Sequence, residues 1–238
     1  MESERKGTSP WVFIGIGCLV AVFALVAVVV GIGFWGFSQI REMGRTMEDP
    51  VARTALAAEY LGADHLPEGY NAIAAISIPF LMETAIITDK EPDEDGQTQG
   101  FGDSGFIYFK VLSVGDQEQE LRDFFEGNAD DPQLLRQNSM RIDTDELIAR
   151  GTIEEDARTL RWAAYRGSID AGPNGGGGDG LTAMIMFECP NAERLRMGIW
   201  FGPDPSPDIP IDEADFIGTV ADPDAIQQFV APFDVCSR

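Results

Sequence analysis

Between Lys6 and Arg41 the chain carries no Asp, Glu, Lys, Arg or His, and within that gap Trp11 to Phe37 is a 27-residue stretch made almost wholly of apolar residues and glycine. As a helix it is about 40 Å long, against a hydrocarbon core of about 30 Å, so it crosses a bilayer with tilt or protruding ends. Trp11 and Trp35 fall near its two ends, where amphipathic rings settle at the headgroup level. The segment predicts a single transmembrane helix over 11–37, in contact with the lipid bilayer, behind a short cytoplasmic head at 1–10. A cleaved signal peptide has an apolar region of only about 7–15 residues, so an uncleaved signal-anchor is favoured. Cys18, preceded by Gly15-Ile16-Gly17, invites a lipoprotein reading, but the apolar run continues to Phe37 where a lipidated mature terminus turns polar. Gly17, Ala21, Ala24 and Gly31 share one face of the span. Small residues so spaced permit close helix–helix approach, although they are common in spans generally.

Basic residues flank the span on both sides, Arg5 and Lys6 before it and Arg41, Arg45 and Arg53 after it, so counting them does not orient it. The short head and the cysteines lean toward an N-terminus inside and a domain outside, at the plasma (inner) membrane facing the periplasm. Cys189 and Cys236 are the only thiols of the soluble part. In an oxidising compartment they are candidates to pair, closing a long loop worth about 4 kcal/mol of chain entropy; the alternative is two buried, unpaired thiols.

Charge bounds the partners. Of 40 Asp+Glu and 17 Lys+Arg, two of each lie before Ser38, so the remaining 38 acids and 15 bases carry the whole net charge of -23. That balance excludes a phosphate-backbone binder, which needs a cationic footprint, and fits a solubilised domain facing a membrane protein or a cationic protein partner. One His and three Cys exclude a multi-ligand His/Cys zinc site built from this chain alone.

A polar neck, 38–49, leads into a domain at 50–238. Asp49-Pro50 is a cap followed by a first helical position, and Val51, Ala55 and Ala58 share a face of a helix that stops at Gly62. Tyr70–Ile78 and Leu81–Thr88 read as strands divided at Pro79. Phe106–Val114 reads as a third, with Phe106, Tyr108 and Lys110 alternating against Ile107, Phe109 and Val111. Asp116 with Gln119 three positions on marks a capping box, opening a helix that buries Leu121, Phe124 and Phe125 and closes at Gly127. The stretch 128–156 yields only fragments near Met140 and Leu147–Ile153. Arg158–Ile169, Leu181–Glu188 and Arg194–Phe201 then form an antiparallel meander, its first connection carrying Gly175 to Gly178. After a loop with Pro203, Pro205, Pro207 and Pro210, Asp222-Pro223 opens a last helix with Ile226, Phe229, Val230 and Phe233 on one face. The expected class is α+β, a mostly antiparallel sheet with a few packed helices.

This order of elements, opened by Pro67-Glu68-Gly69-Tyr70 and closed by the Phe-containing helix, resembles the PsbP-like sandwich over Leu66 to Val235. That is the fold of the extrinsic P protein of photosystem II and of many exported bacterial domains. The resemblance implies a non-enzymatic accessory or assembly role; it carries no functional residue with it.

Candidate chemistry is sparse. Any histidine-based triad must use His65, between Asp64 and Leu66 and beside no Gly-flanked Ser or Cys. The Gly175–Gly178 run lacks the GK[ST] of a phosphate loop. Glu91, Asp93, Asp95 and Gly96 imitate the start of a calcium loop, but aligning Gly96 to its sixth position puts Gly102 where the bidentate Glu belongs. No cofactor or metal site and no enzymatic activity are expected; a carboxylate-based hydrolase is the remote alternative. A nearer alternative is a small-ligand sensing or carrier domain in which Phe106, Tyr108, Trp162 and Trp200 line a pocket on the sheet rather than its core.

Overall fold

The computed structural model describes residues 48–98, 100–112, 117–129, 141–142, 146–170, 179–190 and 193–237. The span at 11–37 with its small-residue face, the head, all but the last two positions of the neck, Asp116, Met140 and Gly175–Gly178 lie outside these residues. Among the described residues no helix is long and apolar enough to cross a membrane. Residues 47–238 form one compact unit.

That unit is α+β. Helix α1 (Pro50–Leu61) is followed by β1 (Asn71–Ile78), β2 (Met82–Thr88), β3 (Gly105–Leu112) and α2 (Gln117–Glu126). Then come β4 (Arg141–Ile142), β5 (Glu146–Glu155), β6 (Arg158–Asp170), β7 (Asp179–Glu188), β8 (Arg194–Gly202) and α3 (Pro223–Val230). The strand order is β1-β2-β3-β8-β7-β6, with β5 and the short β4 both on the outer side of β6, and each pairing is antiparallel.

Alternation along the strands divides the core into two layers, because successive side chains point to opposite faces of a sheet. The front layer takes Phe106 and Tyr108 of β3, Leu160, Trp162 and Ala164 of β6, and Leu181, Ala183, Ile185 and Phe187 of β7. Against it pack Ala57, Ala58 and Leu61 of α1, Ile226 and Val230 of α3, and Phe233 and Val235 beyond it. The back layer takes Ile107, Phe109, Ala163, Tyr165, Met184, Met186, Met197 and Ile199 against Leu121, Phe124 and Phe125 of α2. Each large apolar side chain buried this way contributes about 1.5–3 kcal/mol.

The helix ends follow the sequence signals. Asp49 accepts from the amides of Val51 and Ala52 at 2.9 and 3.3 Å, and Asp222 accepts from Asp224 N at 3.0 Å. Gly62 ends α1 at φ 68°, with its α-carbon turned against the Asp234 carbonyl so closely that a Cβ would sit 2.1 Å from the oxygen. A side chain there is excluded both by conformation and by space. The last helix is shorter than its apolar pattern: Phe229 is half-buried and Phe233 lies in the turn after Val230, yet is buried. The poorly readable stretch holds β5, an outer strand whose solvent-facing Glu and Arg residues dilute the apolar alternation.

The C-terminal segment is fastened to the front layer. Cys189, just after β7, forms a disulfide with Cys236, with Cα atoms 5.4 Å apart. Buried Arg158 donates to the carbonyls of Val230, at 2.9 Å, and Phe233 while its guanidinium lies 5.4 Å from the Phe187 ring centroid.

Candidate functional site

The aromatic residues considered as pocket-lining are packed as core. Phe106, Tyr108 and Trp162 are buried, and half-buried Trp200 packs against them. Trp200 stacks on Phe229, with ring centroids 4.2 Å apart and planes 5° apart, and Phe106 meets Phe229 and Phe233 at 5.2 and 5.5 Å. Gly198 makes room for the Phe106 ring, which lies 2.6 Å from where a Cβ would be. Trp200 Nε1 donates to the Tyr70 hydroxyl at 3.1 Å, which is bonded in turn to Ser104 Oγ at 2.7 Å.

The remaining sequence candidates do not converge. His65 donates Nδ1–H to the Leu66 carbonyl at 3.0 Å, and both soluble-domain cysteines are in the disulfide. In the acidic loop, Asp93 Oδ1 accepts from the amides of Asp95 and Gln97 at 3.1 and 2.7 Å, so that oxygen is spent on the loop's own backbone. Gln97 also accepts from Arg53 Nη1 at 2.7 Å and donates to the Glu48 carbonyl at 2.8 Å, fastening the loop to the start of α1. Among the described residues no three or more acids, His or Cys are grouped to hold a metal ion.

A different cluster stands out, on the front face near the turn between β1 and β2. The register pairs Ser77 with Glu83, Glu83 with Lys110 and Lys110 with Arg196, laying a polar row across four strands. Lys110 and Arg196 are only 8% and 5% exposed. Glu83 bridges two cations, Lys110 Nζ at 2.9 Å and Arg194 Nη1 at 3.3 Å, and Arg196 Nη1 donates to the Arg194 carbonyl at 3.0 Å. One step inward is Tyr108, whose buried hydroxyl lies against the Arg196 side chain. Burial pushes its ionisation well above the ordinary tyrosine value, against the opposing pull of the nearby Arg196 guanidinium, so it stays a protonated donor. Burial also raises Tyr60, less the effect of its hydrogen bond to Ser77.

Beside this row lies a cavity of about 170 Å³ lined by Glu59, Tyr60, Glu83, Tyr108, Lys110 and Val235. One signal of it is present in the sequence: Lys110 shares its strand face with Phe106 and Tyr108. Its cross-strand partners are visible only in the register.

At the same end of the sheet the turn between β1 and β2 is apolar and open. Phe80 is 79% exposed and Leu81 59%, with Ile78 and Leu112 also exposed. Phe80 holds φ 68°, the one non-glycine positive φ among the described residues. The 14 residues between Glu68 and Glu83 carry no charge.

No protein-family model, curated protein or solved structure matches this chain.

Proposed function

We propose that the chain is a single-pass membrane protein, anchored through 11–37, whose domain at 50–238 is extracytoplasmic and acts as a non-catalytic binding or accessory module. The observation that carries this reading is the apolar turn. Four large side chains, Ile78, Phe80, Leu81 and Leu112, are exposed together, whereas the other exposed large apolar residues, Val51, Ile209 and Ile217, lie in other segments. Exposed apolar patches rimmed by polar residues mark contact sites, and a bulky residue at positive φ is a conformation kept at a cost. The acidic remainder suits a partner with cationic surface. The Cys189–Cys236 disulfide supports placement in an oxidising compartment. The accessory role is also what the sequence's resemblance to the PsbP-like sandwich implies.

Gentle detergent extraction of the full chain followed by native mass measurement tests this reading. A stoichiometric co-purifying protein that is lost in the Phe80→Ser/Leu81→Ser variant is the expected result; a bare monomer from both forms overturns it. Protease added to sealed cells or inverted vesicles tests the orientation independently.

A further inference from the structure

We propose that the free edge of β1 pairs antiparallel with the same edge of a second copy of this chain, about a two-fold axis at Ile76. The inference goes beyond the accessory role above and does not rest on it.

The two ends of the sheet are unlike. At one end β5 carries Glu146, Arg150, Glu154 and Glu155, and the short β4 shares the outer side of β6 with it. Charges along an edge strand guard it against further pairing. β1 ends the other side, and among the described residues no strand lies beyond it. Its eight residues, Asn71 to Ile78, include no charge and no proline. Helix α1 lies over the front of β1 and β2. The start of β1 is closed by its own chain: Arg53 Nε donates to the Ala72 carbonyl at 2.9 Å, and a bulge interrupts the register between Ala72 and Ala74. From Ala74 to Ile78 the register is regular, and this stretch presents a row of main-chain groups to a new strand.

Charge selects the occupant. A chain of net charge -23 repels its own copy except where acids are absent. The 14 residues from Gly69 to Met82 are the longest charge-free run after Arg41, and β1 lies wholly within it. Glu83, the first acid beyond that run, is already met by Lys110 and Arg194. Two-fold pairing sets residues at its centre against their own kind, where like charges are destabilising; β1 brings none. A cationic partner is drawn to acids, which β1 also lacks.

The side chains suit this register. Residues 74, 76 and 78 share one face of the strand. Pairing about Ile76 sets Ile76 opposite Ile76 of the second copy and Ile78 opposite its Ala74. Ile76 is half-buried and Ile78 is 42% exposed, and each gains an apolar cross-strand neighbour. Five residues so paired form about four to six main-chain hydrogen bonds.

The test is a cysteine cross-link in the full chain, in detergent, with Cys18 replaced by Ala; Cys189 and Cys236 are already joined. Directly opposed Cα atoms of an antiparallel pair lie about 4.5–5.5 Å apart, within disulfide reach. Ile76→Cys should therefore give a two-chain species on mild oxidation. Ile78→Cys, whose counterpart lies four residues away along the opposing strand, about 13 Å, should cross-link at least about tenfold less. Thr152→Cys on β5 should do the same. Native mass measurement should give two chains for the parent and one for Ile76→Lys, which sets like charges face to face. If that variant fails to fold, the cross-link pattern alone decides. The proposal is overturned by a single-chain parent, by no cross-link in Ile76→Cys, or by equal cross-linking at 78 or 152. A different polypeptide in the cross-linked species, or a two-chain mass for folded Ile76→Lys, overturns it as well. These outcomes are separate from the accessory reading, whose partner is another protein lost in Phe80→Ser/Leu81→Ser.

Discussion

Two carboxylates in this domain each bridge two cations, on opposite faces of one sheet, and they do different things. On the back, Glu188 lies at ion-pair distance, 2.8 and 3.0 Å, from Arg122 and Arg161, without a linear hydrogen bond. Those arginines reach on to Glu118 and Glu126, each at 2.8 Å. The result is an alternating chain of three acids and two bases that ties both ends of α2 to β6 and β7. On the front, Glu83 is the one acid in a row with Lys110, Arg194 and Arg196, beside a cavity. The back cluster links a helix to the sheet through five charged groups. The front cluster links neighbouring strands of the sheet through a single acid. The two differ in how many acids each base reaches: Arg122 and Arg161 have two apiece, Lys110 has one.

The largest perturbation available acts on the front side alone. Replacing Cys189 and Cys236 by Ser should cost about 4 kcal/mol, from the loop entropy of a separation of 47 residues, measured by denaturant unfolding. Hydrogen exchange should rise at residues 230–235, which hold one wall of the cavity, and stay low in α2. If α2 opens equally, the two faces are not independent.

Next in size is the comparison of the two bridging acids. Glu83→Gln leaves Lys110, 8% exposed, without its carboxylate and should cost about 2–3 kcal/mol, below the full buried-pair penalty because Glu83 is partly exposed. Glu188→Gln should cost about 1 kcal/mol, because Arg122 and Arg161 keep Glu118 and Glu126. Equal losses would show that Lys110 gains no more from its partner than a surface base does.

Alkaline titration distinguishes the faces more finely. Burial raises the ionisation of Tyr60, Tyr70, Tyr108 and Tyr165 above the ordinary value of 10. Their stabilising effect is complete below about pH 10; above it the unfolded chain loses protons that the fold retains, so stability falls. Each such tyrosine contributes a slope of about 1.4 kcal/mol per pH unit until its folded value is reached. Tyr108→Phe should remove one full slope over a wider pH range than Tyr165→Phe does.

The smallest effect is a control. Asp222→Ala removes acceptors for Asp224 N and Gly218 N and should cost about 1 kcal/mol in denaturant unfolding, with no change of hydrogen exchange in α2.

Sequence reading reached the parts of this fold governed by local chemistry. The Asp-Pro starts of α1 and α3, the Gly127 stop, the break at Pro79 and the β6-β7-β8 meander all rest on neighbours within a few positions. The strand β5 escaped because one of its sides is solvated, so Glu146, Arg150, Glu154 and Glu155 interrupt the apolar period. Phe233 fits the helical spacing of α3 but is buried from the turn beyond it, where Arg158, 75 positions earlier, holds its carbonyl. The front site was hidden for a stronger reason. Glu83, Lys110 and Arg196 become neighbours only when three strands are aligned; no spacing along the chain encodes that. Lys110 on an aromatic face was the visible trace.

The front layer has a bearing on how the protein is made. Leu61 in the first helix of the domain and Val235 near the far end pack in one core, Gly62 lies against Asp234, and Cys236 must find Cys189. Contacts spanning so much of the chain form late and slowly. The front core therefore closes only after Cys236 has left the ribosome, well after the first helix has been made. Until then the apolar face of α1, with Ala57, Ala58 and Leu61, stays open to water.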